Sequence, residues 1–443
     1  EFYESAMNGL QWIIDHKDSE WSGADSDNFG IDIISLSWGI TSHEAGGSDG
    51  SDMHSRILDT ATEAGIVVSV AAGNDGEDND GLSGMGSSSL SITVGAVDDM
   101  DTVNRTDDVV AGYSSRGPRR DNGDGNPVNE LKPDITAPGS NIVQAEGCVT
   151  SGSCNNNIPG QDASDNSYTS RGSGTSYAAP AISGISALML SANPDLTPLA
   201  LREILKQTAE RRGGASQPEV DPYWNKDYGW GMADARAAVE MALNLKDSNV
   251  NISEINITLQ NHLLNVTNKG RIITITGHSW SQTGEVEMVE FRIGNGTWNE
   301  VTYETPLEEL DVGQPFNWTV VLDLSKVEEG DQIVAIRATS GGTHSLPVTL
   351  SIMGTSAGVD LGGGGQMMFI AALALLVIVA GGFAYRSSLP EGGELVIFVQ
   401  AENAVANTQE STGKSADNTS IEQTSIKSPK GDDEGILVAD LVD

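Results

Sequence analysis

Basic residues, aromatics and cysteines are all scarce in this sequence. Its 443 residues include 24 Lys and Arg against 63 Asp and Glu, which gives a formal net charge of -39. A surface this acidic repels phosphates, so no nucleic-acid partner is expected. The acidity fits either solvation in salt water or the holding of divalent cations. Aromatics make up only 5% of the residues, so the core must rest on Val, Ile, Leu, Ala and Gly.

The two cysteines, Cys148 and Cys154, lie close together in a loop rich in Gly, Ser and Asn. This spacing can close a small disulfide, which would stabilise the fold by roughly 2 kcal/mol through loop entropy. The alternative is a pair of free thiols in a reducing compartment. Because other features indicate export, the disulfide is the favoured interpretation.

Long apolar runs are also rare, and the clearest one covers residues 367–385 (MMFIAALALLVIVAGGFAY). As a helix this run would be about 28 Å long, enough to cross a bilayer. A Gly-rich linker, residues 354–366, precedes it, and Arg386 follows it directly. A buried core helix could look similar, but these flanks favour a single membrane span. Residues 386–443 then form a disordered, acidic cytoplasmic tail.

Export is supported by N-x-S/T triplets, which are acceptor sites for glycosylation. Before the apolar run they begin at Asn104, Asn251, Asn256, Asn265, Asn295 and Asn317. Asn418 begins another, but the tail should lie on the far side of the membrane from the glycosylation machinery. The first residues, EFYESAMNGL, contain neither an initiator Met nor a signal segment, so we expect the sequence to be truncated at its N-terminus. The expected location is the cell membrane, with a single span and the part before it outside the cell.

Helical and strand patterns alternate through residues 1–246, which predicts an α/β domain with a parallel sheet. Continuous apolar runs such as IVVSVAA at 66–72 are typical of strands buried on both faces. The predicted helices are Ser5–Asp15, Met53–Ala64, Ser176–Ala192 and Pro198–Arg211, and the predicted strands are Ile31–Leu36, Ile66–Ala72 and Ser91–Val97. Residues 249–353 show short alternating strands instead, which predict a small antiparallel β-sandwich of the immunoglobulin-like kind.

The strongest chemical signal is the string GTSYAAP at residues 174–180. Its glycine permits a tight turn, and Ser176 follows at the start of a helix of small residues. A helix N-terminus is electropositive and offers free amide donors, which suits a nucleophile and a developing oxyanion. A serine in this place is, taken alone, more often a helix cap.

A second signal is AAGN at 71–74, directly after a predicted buried strand. The amide of Asn74 could donate to an oxyanion there, although a turn asparagine before Asp75 would look the same. A third signal is SLSWG at 35–39. Its extended backbone could pair with a bound peptide, while core packing is the alternative for Trp38.

Together these strings resemble the subtilisin-like serine proteases (subtilases, peptidase family S8). GTSYAAP is similar to the family's nucleophile motif, AAGN to the segment that supplies the side-chain donor of the oxyanion hole, and SLSWG to the substrate-binding strand. YSSRGP at 113–118, KPDITAPG at 132–139 and YGWG at 228–231 follow in the family's order and are interpreted as structural. The resemblance covers residues 1 to about 245, roughly the C-terminal two-thirds of such a domain. It implies a subtilisin-like three-layer fold, incomplete at its N-terminus.

The resemblance also implies roles for individual residues. Ser176 is the expected nucleophile and Asn74 the oxyanion donor. The expected substrate-binding residues are Ser37, Trp38, Gly39, Ala72 and Gly73. No metal ligand is assigned and no cofactor is required for catalysis, but a structural calcium ion could bind the acidic loop DNGDGN at 121–126 or the carboxylates of residues 75–80. Simple solvation of these loops is an equally good explanation.

The family's catalytic Asp and His are not found in this sequence. They should occur in D-[ST]-G and H-G-T contexts before residue 35, and none of the six histidines precedes a Gly. These are His16, His43, His54, His262, His278 and His344. Asp15 and Asp32 also lack the context. We therefore expect the Asp and His to lie upstream of Glu1, and this fragment alone to be inactive.

The favoured interpretation is a membrane-anchored serine endopeptidase that hydrolyses extracellular proteins or peptides through an acyl-enzyme on Ser176. The alternative is a cell-surface binding or adhesion protein built on an inactive protease scaffold. Intact GTSYAAP and AAGN strings favour the enzyme.

Overall fold

Helices and strands alternate through the first part of the computed structural model, as the sequence predicts. The described residues are 2–24, 29–39, 47–77, 81–82, 84–145, 168–248 and 250–355, and all belong to one unit spanning residues 1–371. The helices are α1 (Phe2–Asp15), α2 (Met53–Glu63), α3 (Thr175–Ala192), α4 (Pro198–Thr208) and α5 (Ala235–Asp247). The strands of this part are β1 (Ile33–Leu36), β2 (Val67–Ala71), β3 (Ile92–Asp98), β4 (Val109–Val110), β5 (Ile135–Pro138), β6 (Ile142–Ala145) and β7 (Tyr168–Gly172).

The main sheet is largely parallel. β1 pairs with β2, β2 with β3 and β3 with β5, all in parallel, while the short β4 pairs antiparallel with the end of β3. Residues in register across the first three strands include Ile34 with Val68 and Val70 with Thr93. The predicted α/β fold with a parallel sheet is thus confirmed. β6 and β7 form a separate antiparallel pair.

Helices cover both faces of this sheet because alternate strand residues point to opposite sides. Val68 and Val70 face a cluster that includes Leu10 of α1 and Leu58 of α2. On the other face Val67 belongs to the cluster that contains residues of α3, α4 and α5. The result is a three-layer arrangement in which the C-terminal ends of the strands point towards the N-terminus of α3.

Two buried segments connect the sheet to the end of this part. Lys132 and Asp134 form a buried ion pair of 2.6 Å, and Asp134 also accepts a hydrogen bond from the amide of Thr93, at 2.8 Å. Burial lowers the pKa of Lys132 to about 8. The carbonyl of Gly231 accepts the amide of Thr136 at 3.0 Å. The KPDITAPG and YGWG strings therefore have structural contacts.

The second part of the chain is built from antiparallel strands. They are β8 (Leu259–Lys269), β9 (Ile272–Ser281), β10 (Met288–Ile293), β11 (Asn299–Glu300), β12 (Thr302–Tyr303), β13 (Phe316–Asp323), β14 (Gly330–Ser340), β15 (Thr343–His344) and β16 (Val348–Gly354). One sheet has the order β12-β13-β9-β8, and the other has β11-β10-β14-β15 with β16 also on β14. Short 3-10 helices lie at Pro127–Glu130, Ile252–Glu254, Leu307–Glu309 and Leu324–Lys326.

A single hydrophobic cluster lies between these two sheets. Its largest member, Trp318 of β13, is fully buried and donates its indole N–H to Asn261 at 3.0 Å and Ser279 at 2.9 Å. Val289 and Ile336 belong to the same cluster from the other sheet. Two antiparallel sheets around one core agree with the predicted β-sandwich, whereas its immunoglobulin-like class stays a prediction.

Strand β8 lies at the edge of its sheet and changes character along its length. Its first four residues are buried, and the following seven, Leu263 to Lys269, are exposed. The pairing with β9 shifts register between Leu263 and Asn265, which marks a β-bulge. The bulge therefore separates a buried half of the strand from an exposed half.

The β-rich part packs against the α/β part through residues of both of its sheets. The Tyr223 hydroxyl lies 3.1 Å from Nδ1 of His278, and Gln260 donates to Glu203 of α4 at 3.5 Å. Arg292 also donates to the carbonyl of Ser248 at the end of α5. Side chains from both parts thus form a continuous junction.

Several predictions fall on residues that the structure does not describe. They include the disulfide between Cys148 and Cys154, most of the linker at 354–366, the membrane span at 367–385 and the tail at 386–443. Among the described residues, no helix is both long and apolar enough to cross a membrane. The disulfide, the span and the tail stay predictions.

Candidate functional site

Ser176 lies in the first turn of α3, which points at the C-terminal edge of the parallel sheet. Gly174 is the N-cap of this helix and has a φ of 152°, a conformation that favours glycine. It has no side chain to cap the helix, so the first amides are held by other groups. The amide of Gly174 donates to the carbonyl of Gly139 at 2.9 Å and to the Tyr113 hydroxyl at 3.1 Å.

Asn74 approaches the same turn from the end of β2. Its Oδ1 accepts hydrogen bonds from the amide of Thr175 at 2.8 Å and from the Thr175 hydroxyl at 3.0 Å. Since Oδ1 is occupied in this way, the orientation of the carboxamide is fixed and Nδ2 is left as the outward donor. The structure thus places Asn74 against Thr175, the residue before Ser176, and its role as an oxyanion donor stays a prediction.

Gly174 shows how closely the two donors converge. A Cβ atom built on this glycine would lie 3.5 Å from Nδ2 and 3.6 Å from Oδ1 of Asn74, and 3.7 Å from the amide nitrogen of Ser176. Nδ2 of Asn74 and the amide nitrogen of Ser176 are therefore both close to one point beside the nucleophile. Two such donors at a helix N-terminus can stabilise negative charge on an oxygen atom placed between them.

Ser37 contacts Ser176 in both directions, although 139 positions separate the two residues. The Ser176 hydroxyl donates to the carbonyl of Ser37 at 2.8 Å, and the Ser37 hydroxyl donates to the carbonyl of Ser176 at 2.7 Å. The segment that follows β1 thus lies directly beside the nucleophile. This is where an extended substrate could pair with it.

The other predicted substrate-binding residues surround this segment. Ala72 is buried, and its amide donates to the carbonyl of Val94 at 2.9 Å. Trp38 is half-buried, with its ring centroid 6.3 Å from that of Tyr3, and it packs against the core of the α1 face. Both the packing and the substrate interpretation of Trp38 are therefore compatible with its position.

Gly84 lies against Gly39 and Gly86 against the end of β2, and the sequence gives no signal for either contact. A Cβ on Gly39 would lie 3.5 Å from the carbonyl of Gly84. A Cβ on Gly86 would lie 3.4 Å from the carbonyl oxygens of both Ala71 and Ala72. Small residues therefore allow these segments to approach one another closely.

Two further residues of the site, Ser115 and Tyr113, belong to the YSSRGP string, for which the sequence indicates only a structural role. Ser115 binds the loop before Asn74, since its amide donates to the carbonyl of Gly73 at 2.9 Å and its hydroxyl accepts the amide of Asp75 at 3.1 Å. Tyr113 holds Gly174, as described above. The YSSRGP string was the available signal, but the sequence does not show which glycines its side chains reach.

No histidine hydrogen-bonds to Ser176 within the described part of the chain. Nδ1 of His16, just after α1, lies 2.7 Å from the carbonyl of Trp12 in that helix. Nδ1 of His54 lies 3.5 Å from Oδ1 of Asp52 at the start of α2. His43 lies outside the described residues. The other three histidines belong to the β-rich part. The available arrangement can stabilise an oxyanion but does not supply a base for the hydroxyl.

The acidic loop at 121–126 satisfies its own carboxylates. Asp121 accepts the amide of Gly123 at 2.7 Å, and Asp124 accepts the amide of Asn126 at 2.7 Å. The hydrogen bond from the Asn126 amide, together with hydrogen bonds from the side chains of Asn122 and Asn129, holds the pKa of Asp124 below its ordinary value. Within the described ranges, no group of three or more His, Cys, Asp or Glu residues is arranged to hold a metal ion.

Known proteins are similar in sequence to this chain. Serine protease AprX of Bacillus subtilis (strain 168) is 37% identical over 209 residues, which are 46% of this chain and 42% of AprX. Bacillopeptidase F of the same strain is 26% identical over 304 residues, 66% of this chain and 18% of that protein. The chain thus spans less than half the length of these curated relatives.

A solved structure of proteases from Pseudoalteromonas arctica PAMC 21717 is 27% identical, with a TM-score of 0.34, and covers 54% of this chain and 59% of that one. The model of the subtilase family matches residues 3–231, just over half of the chain. This match includes Ser37, Asn74 and Ser176. The chain belongs to the subtilase family.

Proposed function

We propose that the protein is a serine endopeptidase in which Ser176 attacks the scissile carbonyl and forms an acyl-enzyme. The observation that carries this proposal is that Nδ2 of Asn74 and the amide nitrogen of Ser176 lie close to one point beside the nucleophile. As the carbonyl carbon becomes tetrahedral, its oxygen gains negative charge, and fixed donors stabilise that charge more than they stabilise the substrate. Protein or peptide substrates follow from this chemistry. No cofactor is needed for it.

Attack also requires a base, because a protonated serine is a weak nucleophile. In this proposal a histidine supplied by residues outside the present sequence takes the Ser176 proton, and an aspartate orients that histidine. The histidine then gives the proton to the amine that leaves as the scissile C–N bond breaks, and the acyl group stays on Ser176. Among the described residues, the hydroxyl donates to the carbonyl of Ser37 and not to a side-chain base. Supplying the base would turn the hydroxyl away from Ser37 and leave that carbonyl to the substrate.

The cellular setting is part of the same proposal. The apolar run at 367–385 would anchor the protein, with the α/β part and an immunoglobulin-like β-sandwich outside the cell. Of the six N-x-S/T asparagines before the apolar run, five are exposed and Asn256 is half-buried, which is compatible with export. The substrates would then be extracellular proteins or peptides. A calcium ion in the loop at 121–126 is a separate proposal, supported only by the sequence spacing.

A fluorophosphonate probe tests the catalytic proposal, since it labels only an activated serine. We expect labelling of the full natural protein, no labelling of its Ser176→Ala variant and none of residues 1–443 alone. Hydrolysis of casein should follow the same order. Mass spectrometry of the labelled peptide should place the probe on Ser176.

Three outcomes would contradict the proposal in different ways. A full natural protein that neither takes up the probe nor cleaves casein would favour the binding or adhesion protein. Labelling at another serine would show that the nucleophile is misassigned. Strong labelling of residues 1–443 alone would show that no further histidine is required.

A further inference from the structure

A proline stands inside α3 one turn after the nucleophile. In a regular helix the amide of residue 180 donates to the carbonyl four residues earlier, which is that of Ser176. Residue 180 is Pro, which has no N–H, so this carbonyl loses its helical donor. The Ser37 hydroxyl donates to the same carbonyl at 2.7 Å. A side chain from the segment after β1 thus replaces a missing backbone hydrogen bond of the nucleophile's own residue.

Other bonds hold this turn from different directions. The amide of Thr175 is fixed by Asn74, and the amide of Gly174 by Tyr113 and Gly139. None of these contacts reaches the Ser176 carbonyl, whose orientation sets that of the peptide plane between residues 176 and 177. The amide of Tyr177 belongs to the same plane and donates to the carbonyl of Gly174 at 3.0 Å. The Ser37 hydroxyl holds the carbonyl end of this plane, for which Pro180 supplies no helical donor.

We propose that Ser37 is a positioning residue for the nucleophile. Its hydroxyl holds the Ser176 carbonyl in place of the helical hydrogen bond that Pro180 cannot form. The inference rests on the proposed endopeptidase function. It concerns the Ser37 side chain, which is distinct from any contact between the Ser37 backbone and a substrate. Pro180 keeps the carbonyl free of the helix, and Ser37 then fixes it against the sheet edge.

The test is a double-mutant cycle in the full natural protein, with Ser37→Ala, Pro180→Ala and the double variant. Active-site titration with the fluorophosphonate probe corrects each rate for the fraction of folded enzyme. Ser37→Ala should lower kcat roughly three- to ten-fold, as expected for one hydrogen bond, and change KM less than about two-fold. In the Pro180→Ala background the helix regains its own donor, so Ser37→Ala should lower kcat less than about two-fold.

Two further variants separate positioning from general damage. Ser37→Thr keeps the hydroxyl and should retain most of kcat. Ser351→Ala removes an exposed hydroxyl from β16, away from the site, and should leave kcat unchanged. On residues 1–443 alone, Ser37→Ala should lower the urea midpoint of unfolding in the Pro180 protein but much less in the Pro180→Ala protein.

The outcomes distinguish this inference from the function on which it rests. An inactive wild-type protein would overturn the proposed function, and the urea experiment would still report whether the contact exists. An active wild-type protein whose Ser37→Ala variant keeps full kcat would overturn the inference alone. So would effects of Ser37→Ala that are equal in the presence and absence of Pro180.

Discussion

Nη2 of Arg211 lies 3.4 Å from Nδ1 of His262, in the junction between the α/β part and the β-rich part. Arginine can only donate, so Nδ1 must accept, and the imidazole is neutral with its proton on Nε2. That nitrogen lies 3.2 Å from Oε1 of Gln260, to which it donates. The ring also stacks on Trp280 with a centroid distance of 5.1 Å. The junction thus holds a buried histidine in its uncharged form.

This arrangement predicts that acid weakens the fold. Burial, together with the nearby Arg211, Lys206 and His278, lowers the pKa of His262 well below its ordinary value of 6.5. In the unfolded chain His262 takes up a proton as the pH falls below 6.5, while the folded chain does not. The free energy of unfolding should therefore decrease from pH 6.5 downwards, by up to about 1.4 kcal/mol per pH unit for this one group.

Urea unfolding of residues 1–443 at pH 7.5, 6.0 and 5.0 measures this effect. His262→Gln should be less stable at pH 7.5 but should lose less stability between pH 7.5 and 5.0 than the wild type. Gln260→Leu is the control, because it disturbs the same junction without removing a titrating group and should keep the wild-type slope. Identical slopes for wild type and His262→Gln would contradict the assignment.

Gly277 on β9 allows Trp318 to pack in the β-sandwich core. A Cβ on this glycine would lie 1.8 Å from Cζ2 of the indole, which cannot move because its N–H is bound to two partners. Gly277→Ala should therefore lower the free energy of unfolding by about 3 kcal/mol. Thermal unfolding followed by tryptophan fluorescence measures the change.

Gly184 provides the matched control. It lies in α3, it is exposed, and a Cβ there meets nothing within 4 Å. Gly184→Ala should raise the free energy of unfolding by about 0.5–1 kcal/mol, since alanine loses less backbone entropy in a helix. Equal effects of the two substitutions would show that Trp318 is free to shift.

Asp52 caps α2, and this cap should contribute about 1–2 kcal/mol to the free energy of unfolding. Its Oδ1 accepts the amides of His54 at 2.9 Å and Ser55 at 3.0 Å. Burial alone would raise the pKa of Asp52, but hydrogen bonds from Ser48, Ser55 and His54 hold it below its ordinary value of 3.8. The stability that Asp52 contributes should thus be fully present above pH 3.8 and be lost as the pH falls further.

Comparison of Asp52→Ala with Glu63→Ala tests the cap by urea unfolding at pH 7. Glu63 is an exposed residue of the same helix, and its removal should change the free energy of unfolding by less than about 0.5 kcal/mol. If Asp52→Ala were equally harmless, the helix start would be held by other contacts.

Asn74→Ala tests the oxyanion donor in the full natural protein. The substitution removes Nδ2, so kcat for peptide hydrolysis should fall by about 10²–10³ with little change in KM. Asn265→Ala, at an exposed site on β8, should leave both constants unchanged. A large rise in KM at constant kcat would indicate instead that Asn74 binds the substrate in its ground state.

Much of the α/β fold follows from periodicity. The predicted helix at Ser5–Asp15 corresponds to α1 and the predicted strand at Ile66–Ala72 to β2, because continuous apolar runs and amphipathic segments reflect local burial. The helix predicted for Pro198–Arg211 ends at Thr208 instead. There the backbone turns at Ala209, and Glu210 exchanges two hydrogen bonds with Met232. Such a partner, 22 positions away, leaves no trace in the local pattern.

The site was predictable to a different extent at each residue. Ser176 and Asn74 follow from short strings, and the loss of a helical donor at Ser176 can be read from Pro180. The Ser37 hydroxyl that replaces this donor cannot, because the pairing depends on how β1 lies against α3. The buried state of His262 likewise depends on the docking of two parts of the chain that no sequence period describes.

The bulge in β8 also bears on how copies of this molecule meet one another. Beyond it, the strand leaves a free sheet edge with exposed Leu263, Leu264 and Val266. A straight edge of this composition would recruit a strand from another copy. The register shift breaks the regular spacing of amides and carbonyls that an incoming strand needs, and Lys269 adds a charge at the end. The same irregularity that ends the buried half of β8 therefore protects the protein from edge-to-edge aggregation.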